Sequence, residues 1–178
     1  VYVSKLEIGP KGPFILLSRT HYGFLKRLLE NEIPELEDGT IMLYSVARDA
    51  GSRTKIAVYT EYNNVDPIGA VIGEKGRRIS AVLKELGGEK IDVILYDKDP
   101  VKFIANALSP AKDVKVTIKD ETKKEALALA NDSNLSLAIG KKGQNVKLAS
   151  RLTHYKIEVK RESAQEENKE EISSVEEE

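Results

Sequence analysis

Two short segments, Gly73-Glu74-Lys75-Gly76 and Gly140-Lys141-Lys142-Gly143, combine the residue types that could seat a phosphate. Glycine tolerates positive φ and lacks a Cβ, so another backbone can come close to it. A helix beginning directly after such a loop would aim its unbonded amides and the positive end of its dipole at the same spot. Lys75, Lys141 and Lys142 add mobile positive charge beside it. The chemistry on offer is the gripping of a polyanion backbone.

A lone Gly-x-x-Gly means little, because at a typical glycine content of about 7% a chain this long holds roughly one by chance. Gly9-Pro10-Lys11-Gly12 is such a decoy, followed by Pro13 and flanked by no helix pattern. The weight lies in repeated context. At an offset of 67 (140 minus 73), Asn64 meets Asn131, Ile68 meets Leu135, Ile72 meets Ile139 and Gly76 meets Gly143. After one deletion in the second copy, Leu86 meets Leu152, Lys90 meets Lys156, and Ile91-Asp92-Val93 meets Ile157-Glu158-Val159.

Each copy reads as a short capped helix, the loop, an amphipathic helix and a strand. Asp66 before Pro67 is an N-cap followed by a first helical residue, and Ser133 can cap the second copy. A Gly-x-x-Gly loop clamping the backbone of about four nucleotides is how KH modules hold single-stranded RNA. A tight helix joint whose glycines serve packing alone is the competing reading, and two copies with lysine inside the loop weigh against it. A Walker phosphate loop is excluded, since no Gly-Lys-Ser/Thr follows a glycine at the needed spacing.

The composition bounds what else the chain can be. Its 178 residues allow one domain or two small ones, with 40% hydrophobic and 32% charged residues. Trp is absent and Phe occurs three times, so aromatic stacking platforms are not expected to dominate. The absence of cysteine rules out disulfides and thiolate metal sites and suits a reducing cytoplasm. No signal peptide and no apolar run long enough to span a membrane is present. The net charge of −1 hides an asymmetry: residues 162–178 hold eight Glu and one Lys, a net of −7, so the other 161 residues carry +6. A moderately basic body suits a polyanion, although ordinary surface charge would look the same.

The elements that must position the loops can be taken in chain order. Residues 1–18 read as two short strands, Val1-Tyr2-Val3 toward Ile8 and Phe14 to Leu17, joined by a Gly-Pro-Lys-Gly-Pro turn. Two strands make no stable sheet alone, so they are expected to end a β domain whose earlier part lies outside this chain. Thr20 can cap a helix with Phe24, Leu25, Leu28 and Leu29 on one face, ending before Pro34. A strand from Ile41 to Ala47, a hairpin loop over 48–53 and a strand over Lys55–Tyr59 come next, with Ile56 and Val58 on one face. The first loop is next, then its helix (Ile79, Val82, Leu83, Leu86), the Gly87-Gly88 stop and the strand Ile91–Tyr96.

Asp97 to Pro100 is the whole link to the next helix, with Asp99 as its cap and Phe103, Ile104, Ala107 and Leu108 as its apolar face. So short a link predicts a nearly fixed relation between the units. Val114-x-Val116-x-Ile118 alternates as a half-buried strand, and Ala126–Ala130 precedes the second loop. Each unit therefore reads helix, strand, strand, helix, Gly-x-x-Gly, helix, strand. The predicted fold is α+β: two tandem type II (prokaryotic) KH domains, each a three-stranded sheet packed with three helices. The expected divisions are 1–19, 20–98, 99–161 and an acidic disordered tail over 162–178, too poor in apolar residues to fold.

The chain resembles the tandem KH region of the NusA family of bacterial transcription elongation, termination and antitermination factors. The resemblance covers Val1 to Lys160 and rests on Leu17–Thr20, Arg53–Val58, Val65–Ala70, Leu86–Asp92, Phe103–Lys112 and Leu137–Asn145. It implies that the opening strands end an OB-type RNA-binding barrel and that a polymerase-binding domain precedes it, outside this chain. It further implies binding of nascent single-stranded RNA near RNA polymerase, with effects on pausing, termination and antitermination. Other Nus factors and ribosomal proteins would be partners, in a cytoplasmic setting with no membrane and no cofactor. Carried over by motif, the RNA-facing positions are Gly73, Lys75, Gly76, Arg77 and Arg78 in the first unit. In the second they are Gly140, Lys141, Lys142, Gly143, Gln144 and Asn145. Arg53 and Lys55 are weaker candidates. Bases would lie in an aliphatic groove lined by Ile72, Ile79, Ile139 and Val146, each of which could equally be plain core. Glu74, where the family often has Pro, puts an acid beside the first phosphate site, so the second loop is expected to contribute more.

Enzymatic and metal sites find no support. His21 and His154 are the only histidines and stand in unrelated contexts, with no carboxylate, Ser or Cys in a hydrolase or zinc pattern. The stronger rival is a KH-fold scaffold that binds polymerase or ribosomal proteins, with RNA binding incidental; a ribosome-associated KH protein is a third reading. Nothing demands more than a monomer.

Overall fold

A computed structural model describes residues 1–163; the expected acidic tail lies almost wholly outside them. The chain opens with an antiparallel hairpin, β1 (Tyr2–Gly9) and β2 (Gly12–Ser18). Its apolar side chains remain exposed on both faces, Ile8 at 89%. The Tyr2 ring fastens the hairpin to the next segment of chain, stacked on His21 with centroids 4.2 Å apart.

The first domain comprises α1 (Tyr22–Glu32), the single turn α2 (Pro34–Glu37), β3 (Met42–Asp49), β4 (Arg53–Tyr59), α3 (Pro67–Ile72), α4 (Arg77–Leu86) and β5 (Lys90–Leu95). The second repeats the plan with α5 (Pro100–Ala107), β6 (Lys115–Asp120), β7 (Glu125–Ala130), α6 (Asp132–Ile139), α7 (Gln144–Thr153) and β8 (Lys156–Arg161). Both sheets have the same topology. The middle strand pairs antiparallel with its predecessor and parallel with the strand that comes after the loop, Ile56 opposite Val93 and Ala126 opposite Ile157. The αββααβ order and three-stranded sheets agree with the fold expected from the sequence.

Local chemistry sets the helix ends. Asp66 and Asp99 cap α3 and α5 through their carboxylates, each followed by proline at the first helical position. The other two expected caps are displaced. His21, not Thr20, caps α1, its Nδ1 accepting from the Gly23 amide at 3.0 Å. The Thr20 and His21 amides are instead taken by Ser18 Oγ. Asn131, not Ser133, caps α6, accepting from the Asn134 amide at 3.0 Å, while the Ser133 hydroxyl donates to Asn131. The deletion between the copies also moves. Gly87 and His154 both end their helices in the left-handed region, at φ 68 and 59, so the 67-residue offset persists to the helix ends. Leu86 therefore matches Thr153 rather than Leu152, and the missing residue falls in the turn before β5 and β8.

The two faces of the first sheet serve different cores. Ile56 and Val58 point into a cluster with Leu25, Leu29, Val71 and Val82 of the first domain's own helices. Ala57, with Ala47 and Ile94, points into a second cluster with Phe103, Ile104, Leu148 and Leu152 of α5 and α7. Small side chains on this face let the second domain's helices approach closely, and Ser45 Oγ donates to the Leu152 carbonyl at 2.9 Å. β4 is thus buried on both faces, where the sequence pattern predicted one apolar face only.

Candidate nucleic-acid interface

The two loops have the same backbone conformation, residue for residue. Gly73 and Gly140 stand at φ 74, ψ 170 and φ 75, ψ 171; Lys75 and Lys142 at φ 51 and 54; Gly76 and Gly143 at φ 74 and 73. A bond from the fourth residue's amide to the first residue's carbonyl closes each loop, at 3.0 and 3.1 Å. The two glycines of each pair answer different needs. A Cβ at Gly140 would lie 2.7 Å from Asn145 Cβ and 2.8 Å from its backbone nitrogen, and one at Gly73 would lie 2.7 Å from Arg78 Cγ. A Cβ at Gly76 or Gly143 would meet nothing closer than 3.9 or 3.8 Å, so there glycine answers to the positive φ alone.

The helices after the loops begin without a capping side chain, and neither has an acid in its first turn. The Arg77 and Gln144 amides bond back to the Glu74 and Lys141 carbonyls, and with no capping side chain the positive end of each helix dipole faces its loop. Lys75, Arg77, Lys141 and Lys142 are exposed, and none forms an ion pair among the described residues. Glu74 is exposed in the first loop, where the second has Lys141.

Three expected RNA-facing residues are engaged elsewhere. Asn145 is 2% exposed and donates to the carbonyls of Leu108 and Ala138, both at 3.0 Å, tying the second loop's helix to α5 and α6. Its Oδ1 is buried and has no hydrogen-bond partner among the described residues. Arg78, its counterpart, donates to Glu35 and to the Ala70 carbonyl at 2.8 Å each. Gln144 Nε2 reaches across the domain junction to Asp49 Oδ2 and Ser52 Oγ, each at 2.7 Å. These side chains hold the loops in place.

The weaker candidates Arg53 and Lys55 are likewise absorbed. Arg53 grips the Asp92 carboxylate with two bonds, 2.7 and 2.9 Å. Lys55 is fully buried, donating to Asp92 at 3.0 Å and to the Ser109 carbonyl at 2.7 Å. Burial alone would raise the Asp92 carboxyl, but the Arg53 bonds and the Lys55 charge outweigh it and hold it below the usual carboxylate range. A second buried pair braces the same end of the sheet on its other face. Glu89 accepts from Arg48 at 2.8 and 2.9 Å, from Thr54 at 2.6 Å and from the Gly51 amide at 2.9 Å.

A cavity of about 650 Å³ lies between α3, the edge strand β5 and the segment after α5, lined by Ile68, Val93, Leu95, Asn106, Ser109 and Lys112 among others. Of the aliphatic positions expected to form a groove, Ile72 is 37% exposed, whereas Ile79 and Val146 pack against the two main cores. The sequence reading missed Leu95 and the contribution of the second domain to this wall; alternation along β5 marked Leu95, but nothing local marked residues 105–114.

Comparison with known proteins falls on the same repeats. The description "NusA-like first KH domain" matches residues 19–96, and "NusA-like second KH domain" matches 100–167. The chain is 53% identical over 162 residues to the transcription termination/antitermination protein NusA of Halalkalibacterium halodurans, covering 91% of this chain and 42% of that protein. Its identity to the protein of the same name in Bacillus subtilis is 52%, covering 92% and 44%, and in Thermus thermophilus 50%, covering 88% and 40%. The chain thus spans less than half the length of these relatives. The crystal structure of APE1850 shares the fold, with a TM-score of 0.53 at 21% identity over 74% of this chain and 96% of that one. With both matches lying on the two structural repeats and relatives at about half identity over most of its length, the chain belongs to the NusA family and carries its first and second KH domains.

Proposed function

We propose that this chain is a single-stranded RNA clamp of a transcription factor, acting on nascent RNA at RNA polymerase to modulate pausing, termination and antitermination. The observation that carries the reading is the pair of loops with matching backbones, each leading into a helix without a capping side chain and flanked by exposed cations that form no ion pair among the described residues. Gly73, Lys75, Gly76 and Arg77 hold one stretch of the backbone, and Gly140, Lys141, Lys142 and Gly143 the other. Arg78, Gln144 and Asn145 keep the loops in register. Bases from the first stretch enter the cavity beside β5. In this reading the β1–β2 hairpin, exposed on both faces, is the end of an OB-type barrel, and polymerase is reached through a domain outside the chain. The setting is cytoplasmic and the role non-enzymatic.

The test is fluorescence anisotropy of a short A-rich single-stranded RNA at several salt concentrations, beside a variant carrying Lys141→Asp and Lys142→Asp. Binding that weakens with salt and is lost in the still-folded variant supports the clamp. Equal binding by both proteins moves the RNA elsewhere, and salt-insensitive binding of a protein partner that ignores the loops favours the scaffold.

A further inference from the structure

The turn between β3 and β4 and one side of α7 enclose a cavity of about 290 Å³ at the domain junction. Its lining is Asp49 from the first domain and Lys142, Gln144, Lys147, Leu148 and Arg151 from the second. Lys142, Lys147 and Arg151 are exposed, and none has an ion-pair partner among the described residues. Lysines on the second sheet behave differently: Lys119 pairs with Glu158 at 2.8 Å and Lys156 with Glu125 at 3.0 Å. Lys147 and Arg151 are one helical turn apart and share a face of α7, so their charges add at one place. The single carboxylate among the lining residues, Asp49, is tied to Gln144. Three cations against one acid give the cavity a net positive field, which suits an oxyanion.

The position narrows the ligand. Lys142 belongs both to the second loop and to this cavity, so a strand gripped by the loop passes its mouth. The first domain has no equivalent pair: at the same 67-residue offset, Ser80 stands where Lys147 is and only Lys84 answers Arg151. We propose that the cavity is a second phosphate seat, in which Lys147 and Arg151 hold an RNA phosphate neighbouring the one gripped by the second loop, while Asp49 weakens the hold by repulsion. This rests on the RNA reading above and deepens it. RNA is favoured over an acidic protein segment because the seat continues the loop's own cation, whereas a protein segment would need no such continuity.

The test uses the whole chain and the same labelled A-rich RNA. Lys147→Gln with Arg151→Gln is expected to weaken binding about five- to thirtyfold at low salt, and to lower the slope of log affinity against log salt by about 1.4, two contacts at roughly 0.7 each for a single strand. Lys119→Gln, on β6 and away from both loops, controls for general charge and stays at wild-type affinity. Asp49→Asn keeps a bond acceptor for Gln144 and is expected to tighten binding about twofold or more by removing like-charge repulsion. The proposal is overturned if the double variant binds like Lys119→Gln, or if Asp49→Asn weakens binding while its melting curve is unchanged. The Lys141→Asp, Lys142→Asp variant separates the two levels. Loss there with no effect at Lys147 and Arg151 leaves the RNA clamp standing without the second seat, and a wild-type chain that binds no RNA overturns both.

Discussion

Lys55 Nζ lies 2.7 Å from the carbonyl oxygen of Ser109, so a fully buried charge on the middle strand of the first domain is fastened to the segment that ends the first helix of the second. Asp92, 3.0 Å away on β5, supplies the counter-charge, and Arg53 completes the group. The junction between the domains is thus a shared apolar core with a satisfied ionic group at its edge.

Replacing Lys55 with Met would leave the Ser109 carbonyl without its donor and Asp92 with Arg53 alone. The expected loss is about 2 kcal/mol or more, the scale for a buried charged hydrogen bond left half-made. Urea denaturation followed by circular dichroism should show one transition at a lower midpoint. An unchanged midpoint would mean that the bond contributes nothing net.

Glu89 gives a pH signature. Burial alone would raise its carboxyl, but the Arg48 guanidinium, the Thr54 hydroxyl and the Gly51 amide outweigh it and hold it below the usual range. A depressed folded-state value means stability is fully present above the ordinary glutamate range near 4.5 and drains away as pH falls through the folded value. Thermal melts between neutral pH and about pH 3 should show this loss, with a flatter profile and a lower neutral-pH melting temperature in Glu89→Gln. A parallel profile in the variant would place the acid sensitivity elsewhere, Asp92 being the next group to examine.

The two glycines of the second loop should respond unequally to alanine. Gly140→Ala forces a Cβ to within 2.8 Å of the Asn145 backbone in a region of φ and ψ that only glycine occupies comfortably, costing about 3 kcal/mol and disturbing the loop. Gly143→Ala makes only ordinary contacts, the nearest Lys147 Cε at 3.8 Å, and bears just the left-handed penalty, roughly 1 kcal/mol. Equal losses of stability in the two variants would contradict this division.

The loops should also differ in RNA affinity. The first holds Glu74 where the second holds Lys141, so neutralising Lys141 and Lys142 should weaken binding more than neutralising Lys75. Glu74→Gln is expected to strengthen binding about twofold or more, the reward for removing an acid beside a phosphate. The same anisotropy titration reads both, and the reverse ranking would put the main grip in the first domain.

Much of this arrangement was legible in the sequence because its signals are local. The glycine pairs, the Asp-Pro caps at Asp66 and Asp99, and the period of the apolar residues all act within a few positions of themselves. What stayed hidden depends on distant partners. Thr20 and Ser133 are competent caps, yet the path of the incoming chain placed His21 and Asn131 at the helix ends instead. Nothing near Lys55 announces that Ser109 will sit against it, and Ala57 reads as filler until α7 is laid across it. Asn145 stands directly after the loop, where sequence places a surface contact, and only its distant partners, the Leu108 and Ala138 carbonyls, draw it to 2% exposure.

The doubly covered sheet has a consequence for measurement of length. With β4 packed on one side by its own helices and on the other by α5 and α7, the two loops are mounted on one body, and the span between them is constant. A strand engaging both must supply a fixed number of nucleotides between its two grips, and any surplus must bulge outward. On the clamp reading proposed above, affinity then depends on the spacing between the contact points along a strand as well as on each contact by itself.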